Sequence, residues 1–187
     1  MRIGYVSYDI ADHALAHLLN SLFKLHNRQY FEVYCFSLRP DDKSYWRKHI
    51  EASCDKFYQI EPGLRSFELA RFLYSQNIDI LFDLNGWTQG HRADVFSLRP
   101  CPIQIQFMGF CGTTGADYID YIVTDVLSSP PKIVEQFYSE KAIYMPNSYF
   151  LNDYAQTSRQ ALEPWCFRPS RQKYNLPQDK FIFANFN

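Results

Sequence analysis

Glycine is scarce in this chain, with seven residues in 187. They spell neither GxGxxG nor GxxxxGK followed by Ser or Thr, so the two common phosphate-cradling loops are absent. The five cysteines, at positions 35, 54, 101, 111 and 166, form no CxxC pair, are odd in number and come with no Asn-x-Ser/Thr sequon. That excludes a zinc ribbon or a disulfide framework as the organising device, and reduced thiols serving for packing, Cys111 among them, are expected. No apolar run approaches the ~20 residues of a membrane-spanning helix, and Met1-Arg2-Ile3-Gly4-Tyr5 lacks the charged-then-apolar order of a secretory leader. Lys and Arg number 19 against 20 Asp and Glu, a formal net charge of −1. No global field draws such a chain to nucleic acid or to an anionic membrane. A soluble protein of the cytoplasm and nucleus is expected, with neither a membrane nor a nucleic acid as partner.

What is plentiful is core-forming material: 47% of the residues are hydrophobic and 18% aromatic, far from the composition of a disordered chain. The length allows one domain, or one and a fragment of another. Tyr5 and Val6 belong to a short apolar strand that stops at Asp9. From Ile10 to Leu25 apolar residues then recur at 11, 15, 18, 22 and 25, a helical spacing, with His13, His17, Asn20 and Lys24 on the opposite stripe. Phe31–Leu38 reads as a strand running into the Pro40-Asp41-Asp42 turn and a helix near 44–52. Another amphipathic helix spans 64–76, and Ile78–Leu84 is an apolar strand closed by Asn85-Gly86. Further strands are read at 103–108 and 118–123, with a helix from Pro130 to about Tyr138. Strands alternating with helices imply βαβ crossovers, so the expected fold is α/β, a Rossmann-like, doubly wound, mostly parallel sheet. In such sheets ligands sit outside the carboxyl ends of the strands.

The organisation expected along the chain is a lobe at 1–151, a polar, proline-bearing linker at 152–179, and a new strand at 180–187 that opens a further lobe.

The strand ends carry the residues with chemistry. Asp9 or Asp12 reads most simply as an N-cap, a carboxylate accepting from the first helical turn. Asp9 and His13 are also the one acid–base pair close together at a predicted site mouth, as a transfer to a hydroxyl requires. His13 and His17 are four apart, but no Glu intervenes as in HExxH and no third ligand follows, so no metal is expected. Gly109, Gly112 and Gly115 form turns or admit a close approach of ligand to backbone, while Thr113 and Thr114 bring hydroxyls. Trp87, directly after a strand terminus, must pack on a loop or on a substrate.

These residues also carry a resemblance. Arg2-Ile3-Gly4-Tyr5-Val6-Ser7 with Asp9 and His13, Asp83-Leu84-Asn85-Gly86-Trp87-Thr88-Gln89-Gly90, Leu98-Arg99-Pro100, Met108-Gly109-Phe110-Cys111-Gly112-Thr113-Thr114-Gly115-Ala116, Thr124-Asp125 and Tyr138-Ser139-Glu140-Lys141 resemble the catalytic region of the O-linked N-acetylglucosamine (O-GlcNAc) transferase family. Over Phe150–Tyr154 and Leu176–Ala184 the chain looks most similar to the plant-type SECRET AGENT branch. The resemblance implies the first lobe of an inverting GT-B glycosyltransferase. Such an enzyme moves N-acetylglucosamine from UDP-GlcNAc to Ser/Thr hydroxyls of intracellular proteins, with no cofactor and no metal. A second lobe holding most of the nucleotide, and tetratricopeptide repeats gripping the acceptor, are implied for the whole protein. No ~34-residue repeat occurs in this chain, and alone it is expected to be inactive.

Carried over position by position, the resemblance makes Asp9 and His13 the catalytic candidates and leaves the base open between them and the donor's own phosphate. It places Met108, Gly109, Phe110, Gly112, Thr113 and Thr114 around the sugar, and Trp87, Thr88 and Phe150 along the acceptor path. The chain departs from the pattern at Asp12 and Ala14, which flank His13 where the family has Asn and Pro, at Gln89 in place of a lysine, and at Cys111 in place of a proline. Asp12 thus sets a second carboxylate beside His13. A SPINDLY-like O-fucosyltransferase using GDP-fucose, and a truncated non-catalytic protein-binding module, are the alternatives.

Overall fold

The computed structural model describes residues 1–157 and 170–185. Cys166, part of the expected linker and the last two positions of the expected strand fall outside them. The chain divides into two compact units, Met1–Asp153 and Tyr154–Asn187.

The first unit is built on a seven-stranded sheet, every pairing parallel. Its strands are β1 (Arg2–Ser7), β2 (Glu32–Ser37), β3 (Lys56–Gln59), β4 (Ile80–Asp83), β5 (Ile103–Gln106), β6 (Tyr121–Thr124) and β7 (Lys141–Tyr144), in the spatial order β3-β2-β1-β4-β5-β6-β7. This is the Rossmann order, and it reverses between β1 and β4. The helices are α1 (Ala14–Leu19), α2 (Leu22–Leu25), α3 (Tyr45–Ser53), α4 (Ser66–Ser75), α5 (Ala93–Phe96) and α6 (Pro131–Phe137).

Both faces of the sheet are covered, which is why β1 is apolar on both. Ile3 and Tyr5 join Leu15, Leu19 and Phe23 of α1 and α2 and Ile50 of α3 in one core. Val6, one residue out of phase, joins Leu69 and Leu73 of α4 and Val95 and Phe96 of α5 in the other. The period-2 alternation of a strand assigns them so. Burying a side chain such as Phe23 or Leu84 contributes ~1.5–3 kcal/mol.

The helix expected over 10–25 is two helices with a later start. Ile10 is fully buried in the loop, and the chain becomes helical only after His13. It breaks after Leu19 because the buried Asn20 turns its side chain away, its Nδ2 donating to Asp153 Oδ2 at 2.9 Å. A short polar side chain with a partner off the helix axis competes with the helical turn. Strands β3 and β7 were not read from the sequence. Both are edge strands of four residues, KFYQ and KAIY, only half buried, and without the apolar run that marks the interior strands.

In the second unit, Tyr154–Thr157 is one helical turn and Arg171–Tyr174 a 3-10 turn. Residues 180–185 make no strand pairing among the described residues.

Candidate functional site at the β1/β4 switch point

The carboxyl ends of β1 and β4 meet where the strand order reverses, the position that binds ligands in doubly wound folds. Asn85, buried just after β4, holds them together. Its Oδ1 accepts the Tyr8 N–H at 2.7 Å, and its Nδ2 donates to Asp9 Oδ2 at 2.9 Å and to Thr88 Oγ1 at 3.1 Å. Because the partner of Oδ1 is an N–H, the orientation of the amide is fixed. Asn85 is itself set by Asp83, whose Oδ1 accepts from the Asn85 and Gly86 N–H groups at 2.9 and 3.1 Å. Burial pushes the Asp83 carboxyl up to about 6, against those two backbone hydrogen bonds.

Asp9 is 8% exposed and does not cap the helix. Burial raises its carboxyl above the usual range, opposed by the neighbouring His13 imidazole, by the Asn85 hydrogen bond and by Arg39. The cap is His13: in extended backbone, its Nδ1 accepts from the Leu15 N–H at 3.2 Å. An imidazole nitrogen that accepts carries no proton, so the neutral ring holds its proton on Nε2. That nitrogen lies 3.8 Å from Asp9 Oδ1, with the His13 side chain nearly half exposed. The carboxylate of Asp12 does not face His13; it takes His17 Nε2 at 2.8 Å.

Around this pair is a cavity of about 300 Å³. Of the residues expected from the sequence, Asp9, His13, Thr88, Met108, Gly109 and Phe150 line it. Tyr8, Leu15, Leu18, Arg39 and Gln89 complete it. Met108 adopts φ 68°, and the Gly109 N–H donates to Phe107 O at 3.0 Å, closing a tight turn in a conformation that non-glycine residues rarely take. The sheet itself requires a glycine at 109, since a Cβ there would run into Leu84 O. Phe150 is placed through Asp125, whose Oδ2 accepts the neighbouring Tyr149 N–H at 3.0 Å.

Trp87, Phe110, Gly112, Thr113 and Thr114 do not line the cavity. They form a clasped loop beside it. The Trp87 indole donates to Thr114 O at 2.9 Å, and Gln106 Nε2 donates to Phe110 O and Gly112 O at 2.7 and 3.0 Å. The buried Glu140 takes both threonine hydroxyls and the Thr114 N–H, at 2.6 Å from Thr113 Oγ1 and 2.7 Å from Thr114 N. Burial opposes its charge, yet these hydrogen bonds outweigh it and hold the carboxyl below the usual range. Cys111 on this loop is exposed rather than packed, whereas Cys35 and Cys101 are buried, with thiols pushed up by desolvation, Cys101 to about 12.

Arg39 and Tyr8 were missed because nothing in their spacing marks them; they reach the cavity through the pairing of β2 with β1. Arg47 fixes both loops involved. A buried residue of α3, it donates from Nη1 to Ile10 O at 3.3 Å, Ser37 Oγ at 2.8 Å and Arg39 O at 3.4 Å, and pairs with Asp41 at 3.0 Å.

A larger cleft, about 440 Å³, lies at the opposite rim between Tyr74, Asp79 and Arg99–Pro102. It has no acid–imidazole pair and sits at the amino ends of β4 and β5, away from the switch point. Among the described residues no group of three or more His, Cys, Asp or Glu is placed to hold a metal ion, and no helix is long and apolar enough to cross a membrane.

Sheet order and cavity together define a Rossmann-like α/β lobe with its ligand site at the topological switch. Comparison with known proteins narrows the class: a sequence model of glycosyl transferase family 41 matches residues 1–167, and the chain belongs to that family. It is 45% identical over its whole length to the probable UDP-N-acetylglucosamine–peptide N-acetylglucosaminyltransferase SEC of Arabidopsis thaliana, of which it covers 19%. It is 36% identical over 85% of its length to the UDP-N-acetylglucosamine–peptide N-acetylglucosaminyltransferase of Caenorhabditis elegans, of which it covers 14%. In three dimensions it is similar to a mutant O-GlcNAc transferase of Thermobaculum terrenum, with a TM-score of 0.74 and 32% identity over 80% of this chain and 28% of that one. The chain therefore spans about a fifth or less of the length of these curated relatives.

Proposed function

We propose that this chain is the first lobe of a protein O-GlcNAc transferase acting on Ser/Thr hydroxyls of cytoplasmic and nuclear proteins, with UDP-GlcNAc as donor and no metal. The observation that carries the reading is the Asp9–His13 pair, held by Asn85 in a sugar-sized cavity at the switch point of a family 41 fold.

In this reading the acceptor oxygen forms a bond to the anomeric carbon as the bond from that carbon to the UDP phosphate breaks, with inversion. The hydroxyl proton must leave as the new bond forms. His13 presents an N–H to the cavity while it caps α1, so the neutral ring orients a substrate oxygen as a donor. Asp9, acceptor-only when ionised and with its carboxyl raised by burial, is the proton acceptor on this lobe. The lobe alone holds the donor incompletely, and turnover needs both reactants positioned.

The test uses the longer protein that carries this lobe, UDP-GlcNAc and a Ser/Thr peptide. Transfer is expected, with inhibition by UDP and not by GDP, and with Asp9→Asn lowering kcat by about 10²-fold or more. Absence of transfer to any peptide or to the protein itself, or competition by GDP in place of UDP, overturns the reading.

A further inference from the structure

Arg39 is the one permanent cation lining the cavity. Its guanidinium lies over the Tyr8 ring, 5.7 Å from the centroid, and among the described residues it makes no ion pair and no hydrogen bond. Its backbone is anchored, since the carbonyl accepts from Ser37 Oγ at 3.2 Å and from the buried Arg47. A half-buried guanidinium that lies over an aromatic ring with its fork unengaged is prepared for a planar oxyanion, which it takes with two parallel N–H bonds.

We infer that Arg39 forms an anion subsite beside Asp9 and His13, which selects acceptor peptides carrying an aspartate or glutamate close to the modified Ser or Thr. The inference rests on the transferase reading and deepens it toward acceptor choice.

Two features favour a single carboxylate over the donor's diphosphate. Asp9 lines the same cavity with the opposite charge, so the site carries little net positive charge to offset the larger desolvation cost of a multiply charged group, while a single carboxylate can still take the Arg39 fork. The backbone also provides no second anion holder. Helix α1 has only six residues, its first turn is already capped by His13, and Gly109 is packed against Leu84 O instead of opening a cradle. Gln89, the remaining long polar side chain of the cavity, is neutral and leaves the charge selection to Arg39.

Binding to the 187-residue chain itself tests this without requiring turnover, so failure of the subsite and failure of the transferase reading are distinguishable. Two fluorescent Ser peptides are compared that differ by one Asp-to-Asn exchange next to the Ser, together with UDP and inorganic pyrophosphate as donor-side probes. The Asp peptide is expected to bind about tenfold tighter, a difference near 1.4 kcal/mol. That preference should vanish in Arg39→Gln, persist in part in Arg39→Lys, and shrink with added salt, while UDP and pyrophosphate binding does not change. Circular dichroism of the variants verifies the fold. Equal affinity of the two peptides, whether both bind or neither does, overturns the proposal. So does an Arg39→Gln effect confined to UDP or pyrophosphate, which would assign the cation to the donor.

Discussion

Asn85 Nδ2 donates to Asp9 Oδ2 at 2.9 Å across 76 residues of sequence, and this bond makes one site of two strand ends. Replacing Asn85 by Ala strands the Tyr8 N–H and the buried Asp9 carboxylate together. The expected cost is about 2–3 kcal/mol, or a fall in Tm of roughly 4–12 °C. Asn85→Asp keeps the shape but sets a second carboxylate against Asp9. Like charges disfavour joint ionisation, so the pair's folded-state proton affinity rises above its unfolded value. Stability is then present at low pH and lost as pH rises. Melts at pH 5 and pH 8 should show Asn85→Asp close to wild type at the lower value and clearly weaker at the higher; a pH-independent loss contradicts the arrangement.

Asp83 gives wild type a pH dependence of its own. Its carboxyl is raised from an ordinary value near 3.8 to about 6 by burial. A raised group contributes stability that is complete below the unfolded value and is lost as pH climbs through the folded one, here between about pH 4 and pH 6. The full effect is on the order of 3 kcal/mol. Both of its backbone hydrogen bonds end on Oδ1, which an asparagine retains. Asp83→Asn should therefore be more stable than wild type at pH 8 and about equal to it at pH 4, measured by urea unfolding at both values. A variant weaker at pH 8 shows that the charge is needed.

How far the sequence reveals this site follows from where each residue gets its position. Asp9 and Met108 were legible because they follow strands whose apolar runs announce themselves, and a strand end in a parallel sheet is a site position by topology; Asn85 read only as the turn that closes a strand. His13 was legible as a site residue but not as the helix cap, because two aspartates nearby are the better capping residue types. Arg39 and Tyr8 were not legible. They enter the cavity through β1–β2 pairing and through Gly90, whose missing Cβ leaves room for the Tyr8 ring. Trp87 and Thr113-Thr114 read as ligand contacts, yet their polar atoms are engaged by the loop and by Glu140, a contact over 26 residues that no local pattern encodes.

Glu140 should accordingly behave as a clasp. Glu140→Ala leaves two hydroxyls and a backbone N–H without their acceptor, at an expected cost of about 2–3 kcal/mol. The native carboxyl lies below its ordinary value, so its contribution is present above the unfolded pKa and is lost as pH falls through the folded one. The gap between wild type and Glu140→Ala should thus be wide at pH 7 and narrow near pH 3. Quenching of Trp87 fluorescence by acrylamide should increase in the variant, since Thr114 O anchors the indole. Unchanged quenching together with unchanged stability would show that the loop holds without Glu140.

Gly109 and Gly112 look equivalent in the sequence, and the structure separates them. A Cβ on Gly109 would strike the Leu84 carbonyl oxygen and come within 3.0 Å of the Asn85 Cα, both backbone atoms that cannot rotate away. A Cβ on Gly112 meets only the edge of the Phe110 ring at 3.4 Å, an ordinary contact. Gly109→Ala must push β5's exit away from β4, at about 3 kcal/mol or more, and in doing so displaces Asn85 and with it the carboxylate of Asp9. Gly112→Ala should remain within about 1 kcal/mol of wild type. Paired denaturation curves decide the matter: equal midpoints for the two variants would mean that Gly109 is not where strand packing is tightest, and that the glycine serves a ligand's approach after all.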